Sequence, residues 1–446
     1  MPSDAVADTV ADTVANLPPS LMPRASGHAS ALNHWRECTD CGLCSVIPHE
    51  APGLVASCPR CGHVLWRMRP RPFQFSIACG FAAVFFYLVS VFAPFLEISL
   101  YGRAQLADIN TGPLQLALQD YGPVALLVLA VSVIFPGVKL GIMLFTLLGV
   151  RGFWPPALLK AVFRWYRPIT PWAMIDVYLL GFLVAYTRLT AIANVHLDTA
   201  LFALIGLMLT MAAADAALDS ESVWRALEQT SAGHGPALPE ITGDTGNDPA
   251  APVTGCGACG MVNPAQARHC GRCQARLHWR KPNAVSRAWA LTAAAAFLYI
   301  PANIYPVMII TKLGKTQTFT IWGGIKELAA YGLWPLAALV FFASMMIPIF
   351  KLCSLAYLLS ATQRASTLHL PGRTRVFRLV DFIGRWSMID VFMVSILVAL
   401  VRFGQFANII ADVGATCFAA VVVLTMFAVQ CFDPRLMWDA LEPAKV

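Results

Sequence analysis

"VIFPGVKLGI" (Val133–Ile142) places a proline and a lysine inside a long apolar run. A helix of roughly 20 residues crosses a bilayer core of about 30 Å, and residues 122–149 form such a run with Lys139 within it. A lysine near the bilayer centre costs about 3 kcal/mol on insertion scales. The arrangement returns 212 positions later as "MMIPIFKLCS" (Met345–Ser354), with Lys351 in the place of Lys139. A costly pattern used twice is a feature. It predicts two copies of one membrane module.

Composition agrees. Of 446 residues, 57% are hydrophobic and 13% charged, against about 25% charged in a soluble domain. Eight stretches are long and apolar enough to span, at 73–96, 122–149, 172–192, 197–218, 286–310, 333–359, 387–404 and 408–431. They are continuously apolar instead of alternating, which argues against a membrane barrel. So few residues separate the third from the fourth, and the seventh from the eighth, that tight hairpin turns are expected there. The net charge of +7 collects at one side. Arg60, Arg67, Arg69 and Arg71 precede the first span. Arg151, Lys160, Arg164 and Arg167 follow the second, and Arg364, Arg373, Arg375, Arg378 and Arg385 follow the sixth. The opposite loops mix both signs, so the positive-inside rule places both termini in the cytoplasm. The basic excess therefore encodes topology and not a nucleic-acid surface. The opening "MPSDAVADTVADTVANLPPS" has acids and no apolar core; it reads as a disordered tail over 1–33 and not as a cleavable signal.

The repeat extends well beyond the lysine. "WAMIDV" (172–177) recurs as "WSMIDV" (386–391), and "WRALE" (224–228) as "WDALE" (438–442). The pattern S-x-x-x-P-x-x-K-L covers Ser132, Pro136, Lys139 and Leu140, then Ser344, Pro348, Lys351 and Leu352. Four spans per copy is an even number, so the copies are parallel and not inverted. The expected organisation is an all-α polytopic membrane protein of two parallel four-helix modules, at 71–228 and 283–446. A small cytoplasmic zinc ribbon precedes each module, at 34–70 and 254–282. Residues 229–253, rich in Gly, Pro and small polar types, form a flexible linker.

The ribbons rest on cysteine spacing. Cys38/Cys41 and Cys58/Cys61 form two C-x-x-C pairs, and Cys256/Cys259 and Cys270/Cys273 form two more. Four thiolates suit a tetrahedral structural zinc site. Disulfides are the alternative, but thiols stay reduced on the predicted cytoplasmic side. Gly42, Gly62 and Gly260 follow three of the pairs, where a knuckle turn calls for positive φ, and Gln274 stands in the fourth place. Cys44 is a spare, an alternative ligand to Cys41. A fully thiolate site leaves no open position for catalysis.

The intramembrane charges need partners. Asp176 and Asp390 open the third helix of each module and are the natural counter-ions for Lys139 and Lys351. Ser132 and Ser344 share the lysine face two turns back. Pro136 and Pro348 remove a backbone donor and free a carbonyl beside each lysine. The pairs either fix helix register or titrate and bind a polar headgroup or ion. Arg188 and Arg402, nearer the far side, are lesser candidates. Only His196 is near a span, which excludes a haem held by two intramembrane histidines. There is no P-loop and no nucleophile–base arrangement, so no enzyme is expected.

Two C-x-x-C ribbons, each followed by four spans bearing P-x-x-K-L and W-x-M-I-D, resemble the paraquat-inducible protein A family. The resemblance covers nearly the whole chain outside the tail and linker. It implies a bacterial inner-membrane protein, phospholipid as cargo, and a periplasmic partner with mammalian-cell-entry (MCE) domains. The family motifs fall on Lys139, Asp176, Lys351, Asp390 and the eight paired cysteines. The first module departs at "VFAPF" (91–95), where the second has "NIYPV" (303–307), so equal roles for the halves do not follow. With no ATPase motif, an ion gradient or a separate energy source is expected, and a proton relay through the Lys and Asp groups is the mechanistic hypothesis. A membrane scaffold that only anchors the MCE protein is the rival, and a zinc or redox stress-response protein a third reading.

Overall fold

A computed structural model of the chain describes residues 35–46, 55–67, 72–100, 103–150, 152, 154–190, 194–232, 253–312, 315–330, 332, 334–400 and 407–441. The expectations for the tail, for most of the linker, and for Arg69, Arg71, Arg151 and Arg402 lie outside these residues. Eight helices are long and apolar enough to cross a membrane: Phe73–Phe92, Gly122–Gly149, Pro156–Thr187, Thr199–Ala217, Ala284–Ile304, Trp334–Gln363, Leu370–Ala399 and Val413–Cys431. The third and seventh are broken by 3-10 turns at Thr170–Trp172 and Arg385–Met388. In the third, Pro168 and Pro171 withhold the amide donors that a continuous helix needs. The break divides an outer part (Pro156–Phe163; Leu370–Gly384) from an inner helix (Ile175–Thr190; Ile389–Leu400).

The first ribbon holds two hairpins, β1 (Trp35–Glu37) with β2 (Cys44–Val46) and β3 (Val55–Ser57) with β4 (Val64–Arg67). After the first span the chain forms β5 (Leu96–Leu100) and β6 (Arg103–Ala107), and β7 (Asn194–Leu197) joins the third span to the fourth. The sheet order is β6-β5-β7. The second half repeats this with ribbon strands β8 (Val253–Gly255) and β9 (Val262–Pro264), then β10 (Met308–Lys312), β11 (Lys315–Phe319) and β12 (Ala407–Ala411) in the order β11-β10-β12. The hairpin turns expected after the third and seventh spans are thus edge strands. Backbone groups leaving a helix need partners, and antiparallel pairing from Leu96↔Leu197 to Ser99↔Asn194 supplies them. Asp198 and Asp412 then cap the next helices by accepting from the amides of Thr199 and Val413. The expected spans 73–96 and 286–310 ran into β5 and β10 because Leu96 and Met308 are as buried as any helix residue. Apolar runs alone do not separate a buried strand from a helix end.

Each ribbon precedes a first span and each sheet follows one, so the bundle has a ribbon side and a sheet side. Within the first module the first and fourth spans pack along their length, with the Phe86 ring against Gly206. The modules meet where the inner helices of the third and seventh spans cross. A Cβ added at Gly181 would lie 2.9 Å from the Phe392 Cβ and 3.1 Å from the Ile389 carbonyl oxygen. Neither neighbour is the tip of a flexible chain. Gly181→Leu should therefore cost about 1–3 kcal/mol through overpacking. It should show as a lowered thermal midpoint in detergent, while Gly141→Leu, at a position with open space, should not.

Candidate functional site

Two four-cysteine clusters and two buried lysines are the chemistry-bearing features. In each cluster the four Sγ atoms lie within 4.8 Å of one another. The closest contacts are Cys38–Cys61 and Cys41–Cys58 at 3.5 Å, Cys256–Cys273 at 3.6 Å and Cys259–Cys270 at 3.5 Å. A tetrahedron with metal–sulfur bonds of about 2.3 Å has sulfur–sulfur edges of about 3.8 Å, so the cages fit an ion. All thirteen cysteines are free thiols. Cys44 lies on β2 outside the cluster, which makes Cys41 the ligand. The knuckle turns take φ of 76°, 70° and 74° at Gly42, Gly62 and Gly260, and 56° at Gln274. These residues donate their amides back to the carbonyls of Cys38, Cys58, Cys256 and Cys270. In each cage hydrogen bonding between neighbouring thiols holds one low and pushes its partner up, Cys38 against Cys41 and Cys256 against Cys259. Thiolate character is what a metal requires.

The ribbons dock crosswise. The first packs Cys38, Cys41 and Cys58 against Leu358, Leu370, Phe432 and Trp438 of the second module. Arg378 fixes this docking, donating from Nε to Asp40 at 2.6 Å and from Nη2 to the Cys61 sulfur at 3.3 Å. Burial opposes ionisation of Asp40, but His63 and Arg378 hold its carboxyl below the usual range. The second ribbon docks on the first module, where buried Arg272 donates to Glu221 and Glu228. The ribbons also touch each other: the Gly255 amide donates to Glu37, which Arg280 and Arg435 also bind.

The lysines sit behind an unusual turn. One turn of π-helix, Ala130–Ile134 or Phe342–Met346, immediately precedes the segment that contains each proline. A tyrosine from the first span of each module donates to a carbonyl three residues before the proline, Tyr87 to Val133 at 3.0 Å and Tyr299 to Met345 at 3.3 Å. Ser132 and Ser344 do not reach the lysines. Their hydroxyls donate to the carbonyls of Val128 and Val340 on their own helices.

The counter-ion expected for Lys139 was Asp176; the structure corrects this. Asp176 is exposed, and Lys139 donates to Asp215 of the fourth span at 2.5 Å, with the Tyr166 hydroxyl on the other Asp215 oxygen at 2.7 Å. Asp215 went unnoticed although it is the only acid within "TALFALIGLMLTMAAADAA". Lys351 is different. It is fully buried and its Nζ makes no hydrogen bond, so the expected bond to Asp390 is not formed. The second module lacks the groups that hold Lys139. Asp215 lies seventeen positions past the capping Asp198, and seventeen past Asp412 is Val429. Tyr166 precedes Trp172 by six, and six before Trp386 is Val380. Both valines are buried with Leu355 and Ala428 in an apolar cluster. Gly384 leaves space beside Lys351, because a Cβ there would lie 4.0 Å from Nζ.

Asp390 is buried as the second residue of its helix, where the N-terminal dipole favours a carboxylate. Buried Ser387, three residues earlier, has a hydroxyl with no hydrogen bond; its counterpart in the first module is Ala173. Asp390 and Ser344 reach an apolar cavity of about 40 Å³ between the modules, lined also by Leu116, Tyr121, Met308 and Phe319. Arg188 lies on the helix Ile175–Thr190.

Comparison with known proteins places these features in a family. The family described as Paraquat-inducible protein A matches residues 73–228 and 285–442, one match per module. The chain is 30% identical over 407 residues to the intermembrane transport protein PqiA of Escherichia coli, covering 90% of this chain and 95% of that one. It is 26% identical over 431 residues to the lipophilic envelope-spanning tunnel protein A of the same organism, covering 94% of each. No solved structure matches the chain significantly.

Elemental analysis of the purified protein should find two metal ions per chain. Replacing Cys58 and Cys61 by serine should remove one ion and leave the other. Finding the paired cysteines as disulfides, with no metal bound, would contradict the cages.

Proposed function

The chain belongs to the paraquat-inducible protein A family, and from that premise we propose that it is an inner-membrane subunit of an intermembrane lipid-transport system. Its cargo is phospholipid, and its partner is a periplasmic MCE-domain tunnel protein that meets the sheet side. The ribbons and both termini are cytoplasmic, in keeping with the arginines that flank the ribbon-side ends of the spans. Zinc is the metal of both cages, held by Cys38, Cys41, Cys58 and Cys61 and by Cys256, Cys259, Cys270 and Cys273. It acts structurally, since four thiolates leave no open position.

The observation that carries the reading is the second module's polar interior. Lys351 is buried without a hydrogen bond, a costly state that a purely structural residue has no reason to keep. Ser387 and Asp390 sit on the adjoining break in the seventh span, and Asp390 reaches the apolar cavity between the modules. Broken helices that bring a dipole end and ionisable groups to membrane depth are how transporters build coupling sites. A proton gradient acting through Lys351 and Asp390, and through Lys139 in the first module, supplies the driving force in this reading. The scaffold reading draws on Lys139, whose bonds to Asp215 could serve register alone.

Single substitutions separate the two. Lys351→Met removes an ammonium that makes no hydrogen bond, so metal content and thermal midpoint should hold while phospholipid transfer is lost. Full transfer by this variant would leave the scaffold reading standing. Lys139→Met breaks a made pair and should cost about 2 kcal/mol. That is less than the roughly 3–5 kcal/mol of a fully buried pair, because Asp215 is 36% exposed.

A further inference from the structure

A wide cleft lies on the ribbon side, between the first ribbon, the edge of the second, and the first module. Its volume is about 570 Å³, where one water takes about 30 Å³. The wall is polar enough to keep water. Arg36 pairs with Glu221, Asp219 accepts from Trp66 and Ser222, and Arg167 donates to the Gly257 carbonyl. At its inner end stands Tyr166, which lines the cleft and also donates its hydroxyl to Asp215. The Lys139 ammonium lies 6.0 Å from the centre of the same ring. Tyr166 thus touches both the cleft and the intramembrane ion pair.

We propose that this cleft is the aqueous access by which the first module exchanges protons with the ribbon side, through the Tyr166 hydroxyl to Asp215 and Lys139. The proposal rests on the gradient-driven reading above. In the inward step a cleft hydronium protonates the Tyr166 oxygen as the phenolic proton passes to Asp215, leaving one water and a neutral acid. The Lys139 ammonium then has lost its counter-charge. The reverse sequence returns the proton to the cleft. In the second module Val380 and Val429 stand where Tyr166 and Asp215 would be, so Lys351 has no such route. The modules would therefore divide the work, the first open to ribbon-side water and the second sealed from it.

The test reads access without relying on transport. Metal-loaded full-length protein in lipid nanodiscs is treated with a water-soluble carbodiimide and an amine, and modified carboxylates are mapped by peptide mass spectrometry. Asp215 should react at a rate within about tenfold of Asp439, whose side chain is 40% exposed on the ribbons' docking face. Thr170→Trp and Leu218→Trp, made separately on two sides of the cleft, should each lower Asp215 labelling at least fivefold and leave Asp439 unchanged. Retained metal content reports that each variant is folded. An unreactive Asp215, or labelling indifferent to both plugs, overturns the route. Tyr166→Phe keeps the ring and removes the hydroxyl. It should leave labelling intact and slow gradient-driven phospholipid transfer at least tenfold, and normal transfer by this variant removes the hydroxyl from the path. Transfer that persists after the proton gradient is collapsed overturns the driving force instead, and the labelling result still decides whether the cleft reaches Asp215.

Discussion

An ammonium group inside an apolar bundle must be paired, hydrated or left at a cost of several kcal/mol, and the two halves of this chain answer that constraint differently. In the first, Asp215 and Tyr166 converge on Lys139 from two further elements. In the second, valines occupy both positions and Lys351 stays buried with no hydrogen bond. Everything nearby follows from this difference. The paired lysine can neighbour a wet cleft because its charge is already matched. The other is fully buried beside Gly384, and the valines that take the places of its missing partners belong to an apolar cluster with Leu355 and Ala428.

The ribbons tie the halves together. A ribbon that docked only on its own module would leave the halves joined by the linker and the seam between the third and seventh spans. Here the first ribbon packs on the second module through Arg378, and the second packs on the first through Arg272. The bond from Arg378 to the Cys61 sulfur makes the arginine a second-layer partner of a ligand atom, and such partners hold metal ligands in place. The outer part of the seventh span, which carries Arg378, ends at the break beside Asp390. The first cage is therefore joined to the second module's polar interior by the Arg378 hydrogen bonds and one continuous stretch of helix.

Much of this was legible in the sequence, and the limits have physical causes. Eight spans, the repeat and both cages follow from apolar run length and cysteine spacing, which depend on local chain geometry. The strands β7 and β12 were hidden because their residues are too few and too apolar to interrupt a hydropathy pattern. Lys139 was legible as a charge in need of a partner, but Asp176 was chosen for its place in a repeated motif. Asp215 belongs to no shared motif, since Val429 replaces it in the other half. A partner present in one copy only is invisible to a reading that looks for what the copies have in common. Tyr166 escaped for the same reason.

That asymmetry bears on what the shared features are for. Both modules keep the π-turn, the proline and the tyrosine that donates to the carbonyl three residues before it. These are backbone features. They fix the backbone path of the second span in each half. In the first module the approach is closer, because a Cβ on Gly137 would fall 2.6 Å from the Tyr87 hydroxyl, while Ile349 stands at the matching place in the second. The features that differ are side-chain ones: Asp215 against Val429, Tyr166 against Val380, Ala173 against Ser387. A fold built by duplication can vary such groups freely once the backbone is secured. Each half has placed its lysine at the same position of the matching helix and then surrounded it with a different chemistry. The scaffold is thus common to both modules, and the chemistry around each lysine is the module's own.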